Sequence, residues 1–128
     1  MKYYFETTVD ESFDDAVSKV SEGLQKEGFG ILSVIDVHET LKKRLDVNIN
    51  KYRILGACNP PNAYKALQVE NKIGTMLPCN VIVRELEDHK TEVAAVDPVA
   101  SMMAVENPGL APIAEEIREK LKRVIASL

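Results

Sequence analysis

The chain has 128 residues and a mass of 14.2 kDa, enough for one domain with a real core and too little for two. Its 45% hydrophobic content is ordinary for a soluble globular protein, and no run approaches the roughly 20 apolar residues that cross a bilayer. With a net charge of -4, a pI near 5.2 and one basic triplet, Lys42-Lys43-Arg44, it lacks the massed cations on which double-stranded DNA binding rests.

Met1-Lys2-Tyr3-Tyr4-Phe5-Glu6 carries no apolar core and no small-residue cleavage site, so a signal peptide is not expected and the cytoplasm is the expected compartment. Tyr3 to Val9, rich in aromatic and β-branched residues, reads as a first strand. Ser12 with Asp15 resembles a capping box, and Phe13, Val17, Val20 and Leu24 recur at helical spacing up to a stop at Gly28. A first long helix is therefore expected over about 13–27. Phe29 to Ile35 reads as a second strand. Asp36 with Glu39 is again box-like and opens a short helix carrying Leu41 and Leu45. Tyr52 to Cys58 is a third strand, after which Asn59 serves as a cap and Pro60 takes the first helical position of a helix reaching about Asn71. Cys79 to Glu85 and Thr91 to Val96 form a hairpin over Glu87-Asp88-His89-Lys90. Asp97-Pro98 starts a short helical piece through Met103. After Asn107-Pro108, Leu110, Ile113, Ile117, Leu121, Val124 and Leu128 line one stripe of a last long helix, about 109–127.

This order predicts an α+β fold: one antiparallel sheet with two long helices on the same face. Ile31 and Ile35 alternate with Leu32 and Val34, and the fourth and fifth strands are likewise apolar on both sides. Two helices cover one face only, so the other needs the short helices, a ligand or a second subunit, and a homodimer is the expected partner.

Two cysteines sit in matching surroundings, Ala57-Cys58-Asn59-Pro60 and Leu77-Pro78-Cys79-Asn80. If the third, fourth and fifth strands are antiparallel neighbours, Cys58, Cys79 and Asp97 converge on one rim with Asn59 and Asn80 beside them. Neither CxxC nor a Cys/His cluster at zinc-finger spacing is present, and His38 and His89 stand alone, so free thiols are expected. A helix start after Cys58 favours an anion there and lowers a thiol's pKa. Asn59 and Asn80 then offer amide donors to an anionic or carbonyl-bearing ligand. Against this stand plainer roles: buried cysteines behave as small hydrophobes, and Asn59 and Asp97 before proline act as caps. Asp97 beside two thiols matches no hydrolase constellation. The run Gly56-Ala57-Cys58-Asn59-Pro60-Pro61 lacks the Lys-Ser/Thr of a phosphate loop, and Met102-Met103 reads as core filling.

Further blocks carry a resemblance: Gly28-Phe29-Gly30-Ile31-Leu32, Asp36-Val37-His38-Glu39-Thr40-Leu41-Lys42, Tyr52 to Pro60, Ile73 to Glu85, and Val96-Asp97-Pro98. In order and spacing, over nearly the whole chain, they resemble the prokaryotic domain-of-unknown-function 302 family. The resemblance implies a dimeric α+β domain of β-α-β(4)-α order, similar to the TATA-binding-protein-like fold. It implies no established activity and supplies no catalytic residues. Three readings follow for the rim: a small ligand or a soft metal ion bound there; a thiol enzyme or redox protein with Cys58 as nucleophile and Cys79 as resolving thiol; or a structural dimeric interaction module.

Overall fold

A computed structural model describes residues 2–128. Five strands, β1 (Tyr4–Val9), β2 (Gly30–Asp36), β3 (Tyr52–Cys58), β4 (Cys79–Glu85) and β5 (Thr91–Val96), form one sheet in the order β1-β5-β4-β3-β2. Every neighbouring pair is antiparallel. The helices are α1 (Phe13–Lys26), α2 (Val37–Leu45), α3 (Pro60–Val69), α4 (Pro98–Ser101) and α5 (Ala111–Ala126). Among the described residues no helix is long and apolar enough to cross a membrane.

The two long helices share one face of the sheet, as their stripes require. Phe13, Ala16, Val20 and Leu24 of α1 and Ile117, Leu121 and Val124 of α5 pack together over Leu55, Val81, Val83, Val93 and Ala95 of the three central strands. Ser12 caps α1, its Oγ accepting the Asp15 N–H at 3.1 Å. Gly28 ends it with a φ of +86°, a conformation that costs glycine little. The last helix begins later than its stripe suggests. Asn107 caps a 3-10 turn, Pro108–Leu110, its Oδ1 accepting from the Gly109 N–H at 3.0 Å, and α5 follows at Ala111.

Asp36 does not cap α2. Register sets it opposite Arg53, whose Nε and Nη2 donate to its two carboxylate oxygens at 2.6 and 3.2 Å. Arg53's hydrogen bond, and then its charge, hold the Asp36 carboxyl below its ordinary value. His38 is half-buried, and its Nδ1 accepts the Tyr52 N–H at 3.0 Å.

The short helices α3 and α4 close one end of the sheet, on the side that α1 and α5 already cover. A second apolar cluster joins Ala66 of α3, Ile73, and Met102 after α4 to Leu110 and Ala114 at the head of α5. The opposite face stays open. Alternation along the strands turns away from the helices a registered row, Ile35–Ile54–Ile82–Ala94–Glu6, one residue from each strand. Beside it Arg84 donates to Glu92 at 2.6 Å, and Tyr4 and Tyr52 help line a groove of about 540 Å³.

Candidate binding site

Strand β3 runs into α3 through Cys58-Asn59-Pro60, while β4 opens at Cys79. Pairing sets Ala57 opposite Cys79 and Gly56 opposite Asn80, so Cys58 lies one residue beyond the last β3–β4 pair. Both cysteines are free, and both line one cleft of about 290 Å³. Phe29 lies at the approach to β2, Ala66 and Leu67 come from α3, and Leu77 and Pro78 precede β4. Met102 and Ile117 complete the lining. Among the described residues no charged side chain lines it.

Gly56 allows the loop before β4 to come this close. A Cβ there would lie 2.8 Å from Pro78 Cγ and would strike the Ser33 hydroxyl, so only a residue without a side chain fits between them.

The two thiols differ in environment. Cys58 is half-buried, whereas Cys79 is 6% exposed. Burial, with a smaller contribution from charge on Cys58, pushes the Cys79 thiol up to about 11. At neutral pH Cys79 is therefore a neutral, weakly nucleophilic thiol.

The remaining predicted residues separate. Asn59, 8% exposed, lines the cleft, but its amide is already engaged. Its Oδ1 accepts from the Asn62 N–H at 3.4 Å and from Asn62 Nδ2 at 3.1 Å, and its Nδ2 donates to the Glu27 carbonyl at 3.3 Å. It stitches the end of α1 to the start of α3. A Cβ on Gly28 would come within 3.2 Å of that Nδ2, a second reason for glycine there. Asn80 is exposed and lines the open-face groove with Tyr4 and Arg84. Asp97, 6% exposed, caps α4: its Oδ1 accepts from the Val99 N–H at 3.0 Å, and its Oδ2 lies 3.4 Å from Arg118 Nε. It is not among the residues lining the cleft.

Thus Cys58, Asn59 and Cys79 come together, while Asn80 belongs to the other face and Asp97 to a neighbouring cap. From the sequence Met102 reads as core filling and Ile117 as part of the last helix's stripe, while Leu67 is not singled out. Nothing local marks them, since their convergence depends on how α3, α4 and α5 meet. Among the described residues no group of three or more His, Cys, Asp or Glu side chains is arranged to hold a metal ion.

The family model described as "Domain of unknown function DUF302" matches residues 5–128. A crystal structure of an uncharacterized conserved DUF302 protein from Bacillus stearothermophilus is similar, with a TM-score of 0.90 at 25% sequence identity over 98% of each chain. No curated protein matches the chain.

Proposed function

The chain belongs to the DUF302 family, and from that premise we propose that it binds a small ligand in the cleft that Cys58 and Cys79 share. The observation that carries this reading is that two free cysteines from neighbouring strands line one apolar recess with no charged residue among its described lining residues. A pocket with apolar walls and few polar groups is the usual form of a small-molecule site. The larger open-face groove is the weaker candidate, because its Arg84 is already paired with Glu92. The reading puts the protein in the cytoplasm, where free thiols stay reduced.

A neutral apolar probe, N-phenyl-1-naphthylamine, is expected to bind the reduced protein and slow alkylation of Cys58 several-fold. The substitution Ala66→Trp, which fills the recess, removes that protection. Unchanged alkylation at saturating probe contradicts the reading.

Two free cysteines lining one cleft also support a second reading, thiol–disulfide exchange. Cys58 attacks a disulfide substrate and releases one thiol. Cys79 then loses its proton and displaces the second thiol, leaving a Cys58–Cys79 disulfide and a reduced substrate.

The open face supports a proposal about association. Ile35, 49% exposed, continues the apolar row formed by Ile54, Ile82 and Ala94, and a second copy covers it most simply. Sedimentation at micromolar concentration is expected to give a dimer that Ile82→Glu dissociates. A clean 14.2 kDa species for the unaltered chain contradicts this.

A further inference from the structure

Both cysteines of the chain and, among the described methionines, Met102 line the same cleft. Met102 is buried there, whereas Met76 and Met103 are exposed and do not line it. Three sulfur-bearing residues thus line a recess that has no carboxylate, imidazole or ammonium group among its described lining residues. From this juxtaposition we propose that the cleft holds one soft monovalent cation, Cu(I), between Cys58 and Cys79, with the Met102 thioether as third donor. The proposal rests on the ligand-binding reading of the cleft and names the class of its ligand.

Donor chemistry selects the ion. Thiolate and thioether ligands select Cu(I), whereas a structural Zn²⁺ takes four ligands. The cleft offers two thiols and a thioether, and among the described residues no third His, Cys, Asp or Glu joins the pair. Two or three sulfurs satisfy Cu(I), so the set that is too small for zinc suffices for copper.

Charge points the same way. Two bare thiolates in an apolar recess repel each other and lack hydration. A monovalent cation between them leaves a single net negative charge, beside the positive end of α3, which starts at Pro60. A divalent ion would bring stronger hydration into a recess without carboxylates to replace it. On binding, Cys58 and Cys79 each form a Cu–S bond and release a proton to solvent. Met102 adds a lone pair, and copper keeps its oxidation state.

The test is competition for Cu(I) between the reduced full-length protein and bicinchoninate, without oxygen. One Cu(I) per chain is expected, with only sulfur neighbours in the copper X-ray absorption spectrum and tighter binding as pH rises. Cys58→Ser and Cys79→Ser should each lose more than the roughly 10–100-fold that removing a supporting group costs a metal site. The near-isosteric Met102→Leu should lose about 10-fold, within that same range, and its melting curve reports whether the fold is kept. Equal retention of Cu(I) by Cys79→Ser, or equal affinity for Zn²⁺, overturns the proposal. Failure to hold Cu(I) while N-phenyl-1-naphthylamine still protects Cys58 overturns the copper assignment and leaves the cleft reading intact. Failure of both overturns both.

Discussion

Asn59→Ala is expected to destabilise the domain by about 2–3 kcal/mol, while Asn80→Ala shifts stability by no more than about 0.5 kcal/mol. The two residues follow the two cysteines in sequence and look alike there. In the fold, Asn59 is buried, caps α3, accepts from the Asn62 side chain and donates to the Glu27 carbonyl. Losing a cap costs about 0.5–2 kcal/mol, and leaving buried partners unsatisfied adds roughly 1–3 kcal/mol per group, less what water recovers. Asn80 is exposed on the open face and makes no such bonds. Urea denaturation of both variants measures the difference. Equal, small effects would mean that the Asn59 amide is free for a ligand and does not hold α1 to α3.

Alkaline pH is expected to weaken the fold through Cys79, with a loss of about 2–3 kcal/mol complete near pH 11. The sign follows from the direction of the shift. Burial, and then the charge of Cys58, raise this thiol from its ordinary 9.0 to about 11 in the folded state. The folded chain therefore keeps its proton where the unfolded chain has lost it. The associated stability is complete below pH 9 and disappears as pH rises through about 11. Two pH units at 1.36 kcal/mol each set the upper size of the effect. Tyrosines and lysines titrate in the same range, so the quantity to measure is the difference from Cys79→Ala, which lacks this slope. The same shift leaves Cys79 about 100-fold less thiolate than an ordinary thiol at pH 8, so iodoacetamide should label Cys58 first. A parallel alkaline slope in Cys79→Ala would remove burial as the cause.

What the sequence shows and conceals follows from where the information lies. Period-two apolar runs and the charged turn at Glu87-Asp88-His89-Lys90 mark the β4–β5 hairpin, and the stripe through Ile117, Leu121 and Val124 marks the face of α5 that meets the sheet. These signals are local and strong enough to set two long helices on one face. The role of Asp36 was not legible, because its partner Arg53 is 17 residues away and meets it only through the β2–β3 register. Asp97 reads correctly as a cap, but its ion pair with Arg118 depends on α5 crossing behind α4.

The candidate site divides in the same manner. Antiparallel pairing of β3 with β4, expected from their order, sets Ala57 opposite Cys79 and leaves Cys58 at the residue just beyond that pair. Side-chain alternation then sends Asn80 to the opposite face, a consequence of Cys79 being a core-facing position that the Pro78-Cys79-Asn80 motif does not reveal. Met102 joins the cleft through packing of the short elements against α5, which no spacing in the chain encodes.

The central claim is that Cys58 and Cys79 open on one cleft within reach of a common partner. Phenylarsine oxide tests it most directly, because its arsenic bonds two thiols at once and releases water. Titrated against the reduced protein, one equivalent is expected to consume both thiols of the chain and to leave a single intrachain adduct by mass spectrometry. Neither Cys58→Ser nor Cys79→Ser should form it. If instead both thiols of the unaltered chain remain titratable after one equivalent, or the reagent bridges two chains through Cys58 alone, the thiols do not share a site and the account is contradicted.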